Sequence, residues 1–287
     1  MIHAVIVQDM LNIDTETSIY ENGFFRKKLE NFDLTSLINN VKNIQTNSED
    51  QILGYSTDIY DDLEGSSKVQ LKKLADHLMS YKVIKKYLKF PCLLKIRVLK
   101  AKFNEEALKN PSRAMLWHRD LDDMFSQIKI ILPLNVNKTN NGAFSVASKK
   151  IASRDTILID KKLQNELELS NNTYRIVDKL KVSDSTFRKY YKDYIYEHEG
   201  DSTDLLFVDT NRCYHKGGQI IDKDLERHII HFHIGTPTNI FHPIILSSKD
   251  NVLNYFYSIF AKSVRLFMKI NFFLLNKKIN SKKRILD

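Results

Sequence analysis

Trp117-His118-Arg119-Asp120 sets an imidazole and a carboxylate two residues apart. On an extended strand residues i and i+2 leave the same face, so His118 and Asp120 could present a nitrogen and an oxygen to one metal ion. Two ligands do not make a site. A facial triad around Fe(II) takes a second histidine from another strand and leaves coordination positions open for substrate and oxygen. His215 is the candidate, in "GDSTDLLFVDTNRCYHKGG", where Gly200-Asp201 opens a turn, 205–208 reads as a strand and the following glycine pair allows a tight reversal. Twelve residues later Arg227 stands at the start of "ERHIIHFHIG". A guanidinium grips a carboxylate through two parallel N–H groups, which suits a dicarboxylate co-substrate held beside the metal.

Other residues compete for these roles. His231 and His233 alternate with Ile230 and Phe232 and share the face of Arg227, so they read as walls of a pocket or core histidines rather than ligands. His198 and His228 read as solvent-facing. Gln127 and Lys129 lie on one face of the next strand and are candidates for touching the co-substrate. Arg113 is a weaker candidate for substrate contact, and Trp117 reads as core packing.

These side chains need a framework to bring them together. "CLLKIRVLKAKF", "SRAMLWHRD", "SQIKIILPLN", "AFSVAS", "DLLFVDT" and "ERHIIHFHIGTP" are short runs rich in β-branched or aromatic residues, bounded by Asn, Asp, Gly or Pro. Strands in that number, without regular helices between them, predict an antiparallel sandwich or jelly roll. Ahead of them come a strand near 2–7 and a helical stretch with Leu71, Leu74, Leu78, Val83, Ile84 and Leu88 at helical spacing, ended by Pro91. The segment 151–200 is polar and tyrosine-rich and reads as an insertion of the kind that forms a lid, with "STFRKYYKDYIYE" as its helix. One domain is expected over 1–248. It is followed over 249–287 by an amphipathic helix, with Val252, Phe256, Ile259, Phe260, Val264, Phe267, Ile270 and Leu274 on one stripe, and a basic tail.

The chain has 287 residues, 43% hydrophobic and 28% charged, enough for one large core. Its formal charge of +9 favours anionic partners without choosing among small molecules, nucleic acid and membrane. Only Cys92 and Cys213 are present, far apart, so neither a disulfide framework nor a zinc finger is expected, and a reducing cytoplasm fits. The N-terminal apolar run lacks a preceding basic region, and Lys262, Arg265 and Lys269 interrupt the longest apolar stretch, so no secretory signal or membrane span is expected. The C-terminal helix reads first as a packing or dimer element. Peripheral contact with an anionic membrane is the second reading.

The segment "WHRDLDDMFSQIKIILPLNVNKTNNGAFSVASKK" resembles the core of the phytanoyl-CoA dioxygenase family of Fe(II)- and 2-oxoglutarate-dependent oxygenases. That family shows a tryptophan-led H-x-D, then a lysine-containing strand ending in leucine, then a glycine-led stretch. "GD…LLFVDT…YHKGG…ER" is similar to its second-histidine strand and 2-oxoglutarate arginine, and the resemblance spans about Leu74 to Thr236. It implies a double-stranded β-helix, a mainly β jelly-roll core with flanking helices. It also implies iron held by His118, Asp120 and His215, with Arg227 on the distal carboxylate of 2-oxoglutarate. The implied reaction takes O2 and a small-molecule substrate and yields succinate, CO2 and a hydroxylated product. Retention of Asp120 argues against halogenation, since related halogenases replace that carboxylate with a small residue. The charge surplus makes an anionic substrate the expectation, and no specific nucleic-acid partner is expected. Two alternatives stand beside this reading: a cupin-type metal-binding β-sandwich with no use for Arg227, and a basic module for lipid or nucleic acid.

Overall fold

The computed structural model describes residues 12–45, 56–111, 113–120, 127–151, 182–237, 244–245 and part of 256–270. In chain order these form α1 (Ser18–Glu21), β1 (Phe24–Lys28), α2 (Thr35–Asn43), β2 (Thr57–Asp58), α3 (Gly65–Met79), α4 (Lys82–Leu88), β3 (Cys92–Lys102) and α5 (Glu105–Lys109). Then come β4 (Ile128–Pro133), β5 (Phe144–Ala147), α6 (Asp184–Tyr191), β6 (Ile195–His198), β7 (Asp204–Val208), β8 (His215–Lys216) and β9 (Glu226–Gly235).

Antiparallel pairs nest inside one another along the chain. β3 pairs with β9 from Cys92↔Gly235 to Lys102↔Glu226, His118 bridges His215, β4 pairs with β7, and β5 pairs with β6. A long hairpin rolled up on itself gives this nesting, which is the jelly roll. Successive pairs fall alternately in two sheets, one of order β1-β7-β4-β9-β3-β2 and one of order β6-β5-β8. His118 extends the smaller sheet beyond His215, and Trp117 carries it on to Val182.

The alternation of strand side chains decides what reaches the interior. On β9, Ile230, Phe232 and Ile234 point outward and join Leu71, Leu74, Leu78, Ile84 and Leu88 of the covering helices in one buried cluster. Full burial of such a side chain stabilises by about 1.5–3 kcal/mol, so this face fixes the register. With a period of two, Arg227, Ile229, His231 and His233 must then face the other sheet. On β4 the same rule sends Ile128, Ile130 and Leu132 to the helices, and Lys129 and Ile131 inward.

Several elements differ from the sequence expectation. "SRAMLWHRD" is not one strand: Arg113–Met115 is a turn of 3-10 helix, and Trp117 and His118 make single bridges to opposite neighbours. The helix expected over "STFRKYYKDYIYE" stops at Tyr191, and Ile195–His198 is β6, because pairing with Phe144–Ala147 overrides the local helical pattern. The expected insertion therefore rejoins the barrel at Val182, and 152–181 lies outside the described residues. His198 and His228, expected at the surface, are buried: β9 is an interior strand, whereas β6 is at a sheet edge and the turn leading to Asp204 covers His198. His198 is fully enclosed and donates from Nε2 to the Asp204 carbonyl at 3.2 Å, while burial pushes its pKa down to about 4.

The strand expected near 2–7 lies outside the described residues. The described parts of 256–270 are helical, and there Phe256, Ile259, Phe260, Leu266, Phe267 and Ile270 are exposed rather than packed on the barrel. Among the described residues no helix is long and apolar enough to cross a membrane.

Candidate active site

Two backbone bridges place the histidines. His118 N–H donates to the His215 carbonyl at 3.0 Å and His215 N–H to the His118 carbonyl at 2.8 Å, so the two rings leave neighbouring strands side by side with centroids 4.4 Å apart. Each ring is then turned by a carbonyl two residues upstream: His118 Nδ1 lies 2.7 Å from Leu116 O, and His215 Nδ1 lies 3.1 Å from Cys213 O. A carbonyl only accepts, so the proton sits on Nδ1 in both rings. Burial holds the His215 pKa well below its usual value, which keeps the ring neutral and leaves a lone pair on Nε2. That Nε2 is buried without a hydrogen-bond partner.

Asp120 closes the triangle. Its backbone N–H is fixed by the Thr210 carbonyl at 2.9 Å. Its carboxylate oxygens lie 3.8 Å from His118 Nε2 and 3.6 Å from His215 Nε2. Burial opposes its charge, yet the Lys129 ammonium at 2.8 Å, followed by the two imidazoles, holds the carboxyl well below the usual carboxylate range. One ligand atom from each of His118, Asp120 and His215 lies within 4.8 Å of the others. An ionised carboxylate, two Nε2 atoms turned inward by their Nδ1 contacts, and an orphaned buried nitrogen fit a divalent metal bound by N and O donors.

The cavity between the sheets joins this triangle to Arg227. It is lined on the larger sheet by Arg97, Lys129, Arg227, Ile229, His231 and His233, and on the other side by residues that include His118, Phe144 and His215. Arg227 is 2% exposed, and its Nη1 donates to the carbonyls of Gly142 and Gly218, the latter at 2.8 Å. Strand patterning did not single out these two glycines as neighbours of Arg227. Gly142 has φ +83°, and a Cβ there would stand 2.7 Å from Arg227 Nη1. A Cβ on Gly218 would collide with the Gly142 and Ala143 backbone. The glycine pair after His215 in the sequence was the available signal, although it pointed to a turn and not to an arginine cradle.

The remaining candidates separate. Lys129 is in the cavity, on Asp120. Gln127 is not among the lining residues: its amide donates to Asn211 Oδ1 at 2.9 Å and Thr210 Oγ1 at 3.3 Å, so it braces the turn whose Thr210 carbonyl holds Asp120. The side chain of Arg113 lies outside the described residues. Trp117 is fully buried, stacked on Phe187 at 4.3 Å, with Nε1 donating to Asp184 at 2.9 Å.

No family model matches the chain, and no curated protein matches it in sequence. Solved structures do match. The non-heme α-ketoglutarate-dependent epimerase SnoN of nogalamycin biosynthesis is 12% identical with a TM-score of 0.46, over 80% of this chain and 83% of that one. Apo HygX from Streptomyces hygroscopicus is 11% identical with a TM-score of 0.49, over 76% and 83%. EctD from S. alaskensis, solved with 2-oxoglutarate and 5-hydroxyectoine, is 13% identical with a TM-score of 0.47, over 78% and 76%. HygX has also been solved with nickel and 2-oxoglutarate bound and with iron bound. At this level of likeness the function has to be argued from the chain's own side chains.

Proposed function

We propose that the chain is an Fe(II)- and 2-oxoglutarate-dependent dioxygenase of the phytanoyl-CoA dioxygenase type, hydroxylating a small organic substrate. The observation that carries this reading is the joint one: a His-Asp-His triangle with an unpartnered inward nitrogen, sharing one cavity with a buried arginine. Iron and 2-oxoglutarate, when bound, supply oxidation of a C–H bond by O2 with release of succinate and CO2.

The chain's own part is to hold and to exclude. His118, Asp120 and His215 hold the metal, and their Leu116, Thr210 and Cys213 backbone contacts fix the three directions before it arrives. Arg227 takes the distal carboxylate of 2-oxoglutarate. Its two backbone carbonyl contacts set the plane of the guanidinium, and a planar fork gains most when its orientation is fixed. Gly142 and Gly218 keep side chains out of that space. Phe144, packed on His215 at 5.6 Å, walls the cavity against water. A cupin-type metal protein would have no use for a buried arginine facing its metal. Anaerobic titration with Fe(II) and 2-oxoglutarate tests the reading. His118→Ala should abolish metal retention while circular dichroism shows the fold intact. Retention of metal, or loss of 2-oxoglutarate binding only through unfolding, would contradict it.

A specific observation also favours peripheral contact with an anionic membrane. Residues 251–287 carry eight lysines and arginines against one aspartate, so seven of the chain's nine surplus charges sit in this segment. Its described helical residues expose Phe256, Phe260 and Phe267. Exposed aromatics among cations suit the interface of acidic lipid.

A further inference from the structure

Asp209 is a fully buried carboxylate that the chemistry above does not use. It stands where the chain leaves the larger sheet at the end of β7 and crosses to β8 in the smaller one. Both of its oxygens are occupied. Oδ1 accepts the backbone N–H of Asn211 at 3.1 Å and of Arg212 at 3.2 Å, which closes an Asx turn. Oδ2 accepts the hydroxyl of Tyr87, which reaches it from the covering helix α4. Burial raises the Asp209 pKa, and these donors, with Arg212 Nε at 3.7 Å, oppose the rise.

The main chain tightens the same turn. Asp209 N–H donates to the Gly23 carbonyl at 2.8 Å, and the Asp209 carbonyl accepts from Arg212 N–H at 3.2 Å and Cys213 N–H at 2.9 Å. The approach to β1 is close enough to require glycine at position 23, where φ is +86° and a Cβ would collide with Cys213 Sγ. That thiol donates to the Asn22 carbonyl at 3.4 Å.

Two of the three candidate ligands are aimed by this one turn. Its Thr210 carbonyl receives the Asp120 N–H at 2.9 Å, and its Cys213 carbonyl fixes His215 Nδ1 at 3.1 Å. Thr210 and Asn211 also take the Gln127 amide, two residues before the Lys129 that meets the Asp120 carboxylate. A carbonyl points where its peptide plane points, so the backbone dihedrals of 209–213 set the directions of Asp120 and His215. Without the Asp209 side chain the Asn211 and Arg212 N–H groups lose the acceptor that selects those dihedrals.

We infer that Asp209, clamped by Tyr87, is the positioning residue that orients Asp120 and His215 together. It touches no reacting atom. A contact made on the helical side of the larger sheet is passed through the turn to two ligand directions at once. The inference rests on the metal reading of the triangle for its functional meaning. Partners that fix ligand directions in this way change metal affinity by about 10–100-fold.

The test uses the full chain with Co(II) as the probe, because its visible bands report coordination geometry and chelator competition gives its affinity. Asp209→Ala should bind Co(II) about tenfold or more weakly, with shifted bands. Asp209→Asn keeps an oxygen for the two N–H groups and can donate to the Tyr87 hydroxyl, so it should stay within about threefold of wild type. Leu74→Ala opens a cavity in the apolar cluster under the helices and controls for stability. It should lower the thermal midpoint with affinity and bands unchanged. In metal-free protein, long-range proton–nitrogen correlation spectra should show His215 as the Nδ1–H tautomer in wild type and Asp209→Asn, and as a mixture of tautomers in Asp209→Ala. Where Asp209→Ala is poorly folded Tyr87→Phe decides, with affinity expected to fall about threefold or more and the tautomers to mix. Wild-type affinity and a single tautomer in Asp209→Ala or Tyr87→Phe, a folded Asp209→Asn as weak as the alanine variant, or the same loss in Leu74→Ala would overturn the role. If wild type binds no metal, the metal reading falls, and the tautomers of the metal-free variants still decide whether Asp209 orients His215.

Discussion

The main chains of His118 and His215 hold each other through a reciprocal pair of hydrogen bonds, although 97 residues of sequence separate them. The pair sits between the outer strands β3 and β9 and the inner strands β4 and β7 in the nested order, so rolling the barrel also brings together the residues of the proposed metal site. Because backbone and not side-chain contacts make the bridge, truncating either ring should leave the framework standing. For His118→Ala and His215→Ala the expected outcome is a fall in metal affinity of about 100-fold or more with little change in thermal midpoint, read by chelator competition and by calorimetry. A large drop in midpoint with metal affinity preserved would show the histidines to be structural.

Gly142→Ala should damage the arginine without touching the metal. At φ +83° the new methyl group costs about 1–2 kcal/mol of stability from backbone strain alone, and it would stand against Arg227 Nη1. 2-Oxoglutarate affinity should drop while metal affinity stays within a few-fold. Equal loss of both, or of neither, would mean that the cradle does not orient Arg227.

Asp184 ties α6 to the segment that carries His118 and to β8. Its carboxylate accepts from Trp117 Nε1 at 2.9 Å and Lys216 Nζ at 2.8 Å. Burial opposes its ionisation, but Lys216, Trp117 and Arg188 hold its pKa below the usual value. Asp184→Ala strands a buried indole N–H and an ammonium, so urea unfolding should show a loss of about 1–3 kcal/mol.

His198 gives the fold an acid-side weakness. Its pKa of about 4 lies below the 6.5 of a free imidazole, so between those values the unfolded chain binds the proton and the folded chain does not. Stability should therefore be full above pH 6.5 and fall as pH drops towards 4, by about 3 kcal/mol for this one group. His215, His231 and His233 tilt the curve the same way. In His198→Gln the slope of unfolding free energy against pH over that window should shrink by up to one proton. An unchanged slope would remove His198 from the account.

Vesicle sedimentation checks the C-terminal segment. Binding to phosphatidylserine-containing vesicles should exceed binding to neutral ones, weaken with salt, and be lost in Phe256→Ser/Phe260→Ser/Phe267→Ser. Indifference to lipid charge would contradict it.

Much of this was legible in the sequence, and the exceptions have physical reasons. Strands with strong period-two patterns, such as Ile128–Pro133 and Glu226–Gly235, were plain, because one face is apolar against the helices. Trp117 and His118 looked like part of a strand, yet each makes only a single bridge, since pairing partners come from opposite sides. Ile195–His198 was hidden by a helical pattern that only the partner β5 overrides. The surface assignment of His198 and His228 failed because local polarity says nothing of which neighbouring strand or turn covers a side chain. Gln127 shared a face with Lys129 in the pattern, but the turn at Thr210–Asn211 captures its amide, a contact 83 residues away in sequence. The closeness of Gly142 and Gly218 to Arg227 is a property of three distant loops and strand ends, and no local pattern encodes it.

The most direct measurement is succinate formed from 2-oxoglutarate and O2 by Fe(II)-loaded protein, in wild type and in His118→Ala and Arg227→Leu. The expected result is succinate above background in wild type, even uncoupled from substrate, falling to background in both variants while they remain folded. No succinate from wild type, or production that persists in both variants, would contradict the assignment.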